Sequence, residues 1–482
     1  MSEASAFRFE NSPLEVPAKA RVARLIESAI FFVLLTIIAL VAVPYGTNQP
    51  WSKALFDCGV LALTGSWIVE GLLSGSWSRP AHRLLVPGFA LVLYAFLQTL
   101  PLSRSNIGAG IGSDVWWTVS FDPQSTRLVA MNLLAYVLTL GLLLRYTDSP
   151  RRLRILTWLV IGIALVSALF GMIRQTTQHE AGFLLPGLMP GLGYGQFINP
   201  NHFALLMEMG LGLLLGLVVA GGVRREQKLV YLAITLPLWA ALVLSNSRGG
   251  ILSMFSQLPF LILIFSLEPR GRDATEKPSW LLRTVSSWVV RAAIVFALLL
   301  GLVFSMFWLG GERLVSKIAQ SDELAAAAPG GHDGARRLEI WRSTWQVIKV
   351  NPISGVGFGA YWVAIDEFND RSGKLKPYAA HNDYLDLLAS GGLIAFALAG
   401  WFIFLVVVRA RAQLFTSDPF RRAACVGALV GLFGAAVHSL VDFGLQITVN
   451  GVIFVVLIAI ATAEIEDAEM NSEAPARVVS GD

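Results

Sequence analysis

Long apolar runs separated by short polar links dominate the chain. Stretches of about twenty mostly apolar residues, the length that crosses a bilayer core as a helix, fall near 26–43, 54–73, 84–101, 127–146, 153–172 and 202–220. Six more fall near 228–244, 249–267, 286–309, 384–408, 421–443 and 449–464. The strands of a membrane barrel would be near ten residues long with alternating polarity, which these runs lack. The pattern predicts an all-α polytopic membrane protein of about 12 transmembrane helices, with a long polar loop before the tenth. It divides the chain into an N-terminal segment 1–25, helices 1–9 over 26–309, a loop 310–383, helices 10–12 over 384–464, and an acidic tail 465–482 expected to be disordered.

Composition sharpens this. Of 482 residues 55% are hydrophobic and only 15% charged, whereas a soluble domain carries about a quarter charged residues. That excludes a soluble enzyme and a nucleic-acid binder, so the net charge of +4 is not a nucleic-acid patch. Its meaning lies in which links hold it. With the N-terminus placed in the cytoplasm, 22 of the 37 basic residues fall on the inner side, while the short outer links hold five: Lys53, Arg104, Arg127, Arg174 and Arg248. Both termini are therefore expected in the cytoplasm. The first 25 residues are polar and basic and the first run is long enough to span, so no cleavable signal peptide is expected. Cys58 and Cys425 fall near opposite faces and are not expected to pair.

Polar residues at membrane depth cost free energy unless they serve something, and here they crowd the outer side. Arg248 lies in the tight link SNSRGG (245–250). It reads either as a snorkelling interfacial arginine or as a clamp for an anionic lipid head group, since a guanidinium gives paired hydrogen bonds to phosphate. In GARRLEIWRSTWQVIKV (334–350), Leu338, Trp341, Trp345 and Ile348 form an apolar stripe, as in a helix lying on the membrane or against the bundle. At 100° per residue Arg337 lies about 40° from Trp341 and Arg336 about 140° away, which turns Arg337 toward the membrane side and Arg336 toward water. NPISGVGFGAYW (351–362) follows no strand, so its glycines read as loop flexibility and not as a dinucleotide site. DEFND (366–370) reads as a solvated turn, with a cation site as the alternative.

In AAHNDYLDLLASGGL (379–393), His381 precedes a helix that Asn382 and Asp383 are placed to cap. Such a histidine can accept a hydroxyl proton near neutral pH, or be a helix-end residue satisfied by Asp383 or backbone. In FINPNHFALL (197–206), Asn199 and Asn201 read as caps and His202 as capping or lining. His438 and Asp442, four apart in AVHSLVDFGLQI (436–447), read as a His–carboxylate pair on one helix face.

Taken in order, NPNHFA, SNSRGG, RLEIW running to NPISGVGFG, AHNDYLDLLASGGL and AVHSLVDFGLQI resemble the O-antigen ligase and polysaccharide polymerase family of bacterial inner-membrane glycosyltransferases. The likeness runs from about 197 to 447; the first five helices share only hydropathy. It implies a GT-C-type bundle with a long periplasmic loop, and an inverting transfer from an undecaprenyl-diphosphate-linked glycan donor to a glycan or lipid A–core acceptor at the periplasmic face. It matches Arg248 and Arg337 to the arginines that grip the donor diphosphate and His381 to the catalytic base. Asn382, Asp383, His438, Asp442, Asn199 and His202 are supporting or lining residues. With the helix-face argument above, Arg337→Ala is expected to abolish activity and Arg336→Ala to be mild. Gly391–Gly392 stands where the family often has an acidic residue before glycine. Some GT-C enzymes hold a metal with carboxylates in the first outer loop; PYGTNQPWSK (44–53) has none, so no metal and no cofactor are expected. The alternative is a transporter or flippase, which would keep polar residues and broken helices near the midplane; the candidates there are Glu70, Glu208 and Arg291.

Overall fold

A computed structural model of the chain describes residues 18–43, 46, 48–75, 82–105, 115–177, 193–266, 333–368 and 377–465. The ninth apolar run (286–309) with Arg291, the segment 1–17, loop residues 310–332 and 369–376, and the tail beyond 465 lie outside them, as does the side chain of Arg336.

The other eleven apolar runs are helices: α1 (Ala18–Val41), α2 (Pro50–Ser74), α3 (His82–Leu97), α4 (Pro123–Tyr146), α5 (Pro150–Thr177), α6 (Pro200–Val219), α7 (Lys228–Leu244) and α8 (Arg248–Ser266). A helix of the long loop, α9 (Asp333–Val350), precedes α10 (Asp383–Leu414), α11 (Pro419–His438) and α12 (Thr448–Thr462). Among the described residues nine helices are long and apolar enough to cross a membrane, and α3 and α12 are shorter apolar helices. Several starts follow one local rule. Asp122, Asn199 and Asp418 each stand before a proline at the first helical position, and each side chain accepts a backbone N–H of the first turn. Between α3 and α4 a short antiparallel ladder pairs β1 (Ser103–Ser105) with β2 (Val115–Trp117).

α6 and α11 form the buried centre, and glycine lets them meet. A methyl on Gly216 would run into the backbone of Gly427, so only hydrogens stand between the two helices at that crossing.

The described part of the long loop packs against the bundle. α9 buries Ile340, Ser343, Thr344, Val347 and Ile348, while Trp345 is 49% exposed. The face that packs is therefore about 100° round from the apolar stripe read in the sequence. The hydroxyls explain the difference: Thr344 bonds the Tyr361 hydroxyl at 2.7 Å and Ser343 donates to the Phe368 carbonyl at 3.0 Å, so polar residues sit comfortably inside.

The glycine-rich segment is also unlike its sequence reading as a flexible loop. Gly355, Val356, Gly357 and Phe358 are buried, because they fill a break in α10 at Gly392, whose φ is +63°. A side chain there would collide with the Ile353 carbonyl. The backbone groups freed by the break pair with the loop: Val356 N donates to Ala389 O and Gly357 N to Ser390 O, both at 2.9 Å, and Leu393 N donates to Pro352 O at 2.9 Å. Gln98 at the end of α3 donates to Ser354 O at 2.7 Å and accepts from Phe358 N at 3.3 Å.

Candidate functional site

One end of the bundle gathers residues from α6, the α7–α8 turn, α9, the start of α10 and the α11–α12 link. The chain before α10 is tied to that link. Asp383 N donates to Ser439 O at 2.9 Å, Ser439 Oγ donates to the Asp383 carboxylate at 2.8 Å, and Asn382 Nδ2 donates to Leu440 O at 2.8 Å. Asn382 also caps α10 through the amides of Tyr384 and Leu385. Trp341 of α9 donates its indole N–H to Ala380 O at 3.0 Å.

These ties set His381 over Asp442. Its φ of +49° lies in the left-handed region, as does that of Asn246 (+56°). They are the two non-glycine residues of that kind among the described residues, and both are at this end; non-glycine side chains hold such angles only where their surroundings fix them. His381 Nδ1 stands 3.3 Å from Asp442 Oδ1, with the histidine side chain 31% exposed and the carboxylate 1%. His202 Nε2 is 4.0 Å from the same oxygen, and the Phe443 ring meets both imidazoles edge-on, 4.8 Å between centroids. Asp442 Oδ1 also accepts from Phe443 N at 2.9 Å. Burial alone would raise the Asp442 carboxyl, but the hydrogen bond from His381, with His202, His438 and Arg337 nearby, outweighs it and holds the group well below the ordinary carboxylate range. An ionised Asp442 fixes the His381 proton on Nδ1 and leaves Nε2 as the open, basic nitrogen.

His438 and Asp442 do not pair as the spacing suggested. α11 ends at His438, so Asp442 lies past the helix and turns to His381, while His438 turns inward to Glu208 of α6 at 3.0 Å. The satisfied-by-Asp383 reading of His381 is likewise replaced, because Asp383 accepts from Ser439. Asn199 caps α6, with its side-chain amide 3.5 Å from His202 Nε2. Asn201 is inside the helix and accepts from Ser247 Oγ at 2.8 Å, which ties α6 to the turn that carries Arg248. That turn is shorter than the sequence suggested, since α8 begins at Arg248, whose side chain is exposed. Arg337 is half-buried and near enough to act on Asp442 and His438 electrostatically.

Sequence reasoning gave no site role to Phe443, which lies inside a motif it singled out, nor to Glu208, whose signal was a lone charge in an apolar helix. Glu70 lies near the C-terminal end of α2 and not at its middle, with the Tyr146 hydroxyl at 3.4 Å and Arg145 at 3.9 Å. Among the described residues no group of three or more His, Cys, Asp or Glu side chains is placed to hold a metal ion.

Residues 230–400 match a family model described as O-antigen ligase. The match covers about a third of the chain, from α7 into α10, and so includes Arg248, Arg337 and His381. No curated protein matches the chain. The match supports assignment to the O-antigen ligase and polymerase family, and with the apolar helices it supports a membrane protein with a ligase- or polymerase-type function and a glycosyltransferase-like activity.

Proposed function

We propose that the chain is an inner-membrane, metal-independent inverting glycosyltransferase. It moves a glycan en bloc from undecaprenyl diphosphate to an acceptor hydroxyl at the periplasmic face, as an O-antigen ligase or a polysaccharide polymerase. The observation that carries this reading is His381, partly exposed, with Nδ1 against the buried Asp442 carboxylate. In the proposed step Nε2 of His381 takes the proton of an acceptor hydroxyl. The freed oxygen attacks the anomeric carbon from the face opposite the phosphate, the bond from that carbon to the phosphate oxygen breaks, and undecaprenyl diphosphate leaves with the electron pair. Asp442 stabilises the imidazolium that forms. Arg248 and Arg337 bind the diphosphate and offset its growing negative charge. Asn199, His202, Asn382 and Asp383 hold these groups in place.

The transporter reading has one observation in its favour, the break in α10, since broken helices line transporter sites. Here the freed backbone groups are bonded to residues 352–357, which leaves no ligand position at the break.

The test is complementation. Strains lacking their own ligase or polymerase receive the wild-type chain, His381→Ala or Arg248→Ala, each checked for expression. Long chains joined to lipid A–core mark a ligase, and longer carrier-linked or secreted chains a polymerase. Either product restored in full by the His381 and Arg248 variants would overturn the site assignment.

A further inference from the structure

A second carboxylate–imidazole pair lies deeper than the first, with the same ring polarity. His438 turns Nδ1 to Glu208 Oε1 at 3.0 Å, and the two side chains are 1% and 0% exposed. Glu208 is the lone charged residue of α6, and its backbone carbonyl is held by Gln257 of α8 at 2.9 Å. The other nitrogen, Nε2, has no hydrogen-bond partner among the described residues. Leaving a buried polar atom unmatched costs stability, so such an atom asks for an explanation.

Its surroundings supply one. A methyl placed on Gly249 would stand 3.3 Å from His438 Nε2 and 3.0 Å from Val441 Cγ2. The Nε2 edge of the ring therefore faces the first turn of α8, at the residue after Arg248. Glycine therefore puts no side chain between the ring edge and the helix start. The amides of a helix's first turn present partial positive charge, Arg248 stands at its first position, and Arg337 approaches from α9. With Nδ1–H given to Glu208, Nε2 donates when the ring is the imidazolium, and an imidazolium aimed at a cationic helix start is matched by an anionic oxygen.

We propose that His438, oriented by Glu208, is a third binding group of the diphosphate seat, with Nε2–H donating to a phosphate oxygen that enters beside Gly249. Glu208 is the positioning residue: by accepting from Nδ1–H on the far side it supports an imidazolium facing the phosphate. This rests on the reading of Arg248 and Arg337 as the diphosphate clamp.

The experiment measures binding of undecaprenyl diphosphate and of undecaprenyl monophosphate to the purified full chain in nanodiscs, for wild type, His438→Gln, Gly249→Ala and Arg248→Ala. His438→Gln removes the imidazolium and leaves at most a neutral amide donor, and Gly249→Ala sets a methyl 3.3 Å from Nε2, crowding the approach to the ring while keeping the Glu208–His438 pair. Each is expected to weaken diphosphate binding about tenfold, the worth of one hydrogen bond to a charged group, with less than half that change for the monophosphate. A merely structural role would weaken both probes alike, and that result overturns the proposal. If His438→Gln does not fold, Gly249→Ala is read by the same criteria. Arg248→Ala separates the two layers. Loss of binding there with wild-type binding in the other variants overturns the role of His438 alone, whereas wild-type binding in Arg248→Ala overturns the clamp itself.

Discussion

His381, the proposed base, shows how much of such a residue's role lies in its neighbours. Its ring nitrogen is open because Asp442 occupies the other one, and Asp442 is in place because the link after α11 is tied to the start of α10 through Asn382, Asp383 and Ser439. His381→Ala is expected to cut transfer by about 10²–10⁴-fold, the span of general-base contributions, measured as product formed per mole of folded protein. Activity within twofold of wild type would remove His381 from the chemistry. Asp442 gives a pH prediction whose sign is fixed. Its carboxyl is depressed in the folded chain, so its contribution to stability is complete above the ordinary carboxylate range and is lost only as pH falls through the depressed folded value. Between pH 5 and 9 wild-type thermal stability should carry no step from Asp442. Asp442→Asn, which removes the charge at every pH, should lower activity across that whole range. A variant that loses activity only above or only below neutrality would show that Asp442 titrates within the range after all. Of these residues the sequence showed the types but not the pairs. His438 and Asp442 looked like partners because i and i+4 share a helix face, but the helix stops at His438, four residues short of Asp442, so that rule does not hold.

At the scale of elements, hydrophobic run length located the spanning helices well because a bilayer imposes one length on all of them. The phase of α9 was harder to read. Its buried face carries Ser343 and Thr344, whose hydroxyls are satisfied by Phe368 and Tyr361, and a pattern that scores only apolar residues turns such a helix the wrong way. The break in α10 was hidden for a related reason: Gly391–Gly392 sits inside an unbroken apolar run, and nothing local shows that the segment around Gly355 will cap the freed backbone. That break gives a stability prediction. Gly392→Ala forces a non-glycine residue to φ +63° and a methyl against the Ile353 carbonyl, and should cost about 1–3 kcal/mol, seen as a lower melting temperature of the purified protein. An unchanged melting temperature would mean that α10 can run straight there without the loop. The glycines of 355–359 are therefore read as structural support that ties the described part of the long loop, and Arg337 with it, to the helix that follows His381.

Across the whole molecule the two ends of the bundle differ in chemistry. One end gathers His202, Arg248, Arg337, His381 and Asp442, while the other holds basic residues in ion pairs: Arg152 with Glu27 and Asp148, Arg145 with Glu70, and Arg409 with Glu464. Arg421 donates there to the carbonyls of Ala463 and Ile465. Short links rich in Lys and Arg stay in the cytoplasm, so this asymmetry supports the proposal that the histidine-bearing end faces the periplasm, where a lipid-linked donor and its acceptor would meet. Single cysteines test the orientation directly. Cys425 is buried, so a Cys58→Ser background leaves little to label. Asn246, exposed beside Arg248, and Glu226, exposed in the link between α6 and α7, mark the two ends. In intact cells, with the outer membrane opened, a membrane-impermeant maleimide should label Asn246→Cys at once and Glu226→Cys only after the inner membrane is lysed. The reverse order would place the candidate site in the cytoplasm. A periplasmic acceptor would then be out of reach, and the proposed transfer would fall even with His381, Asp442 and both arginines where they are.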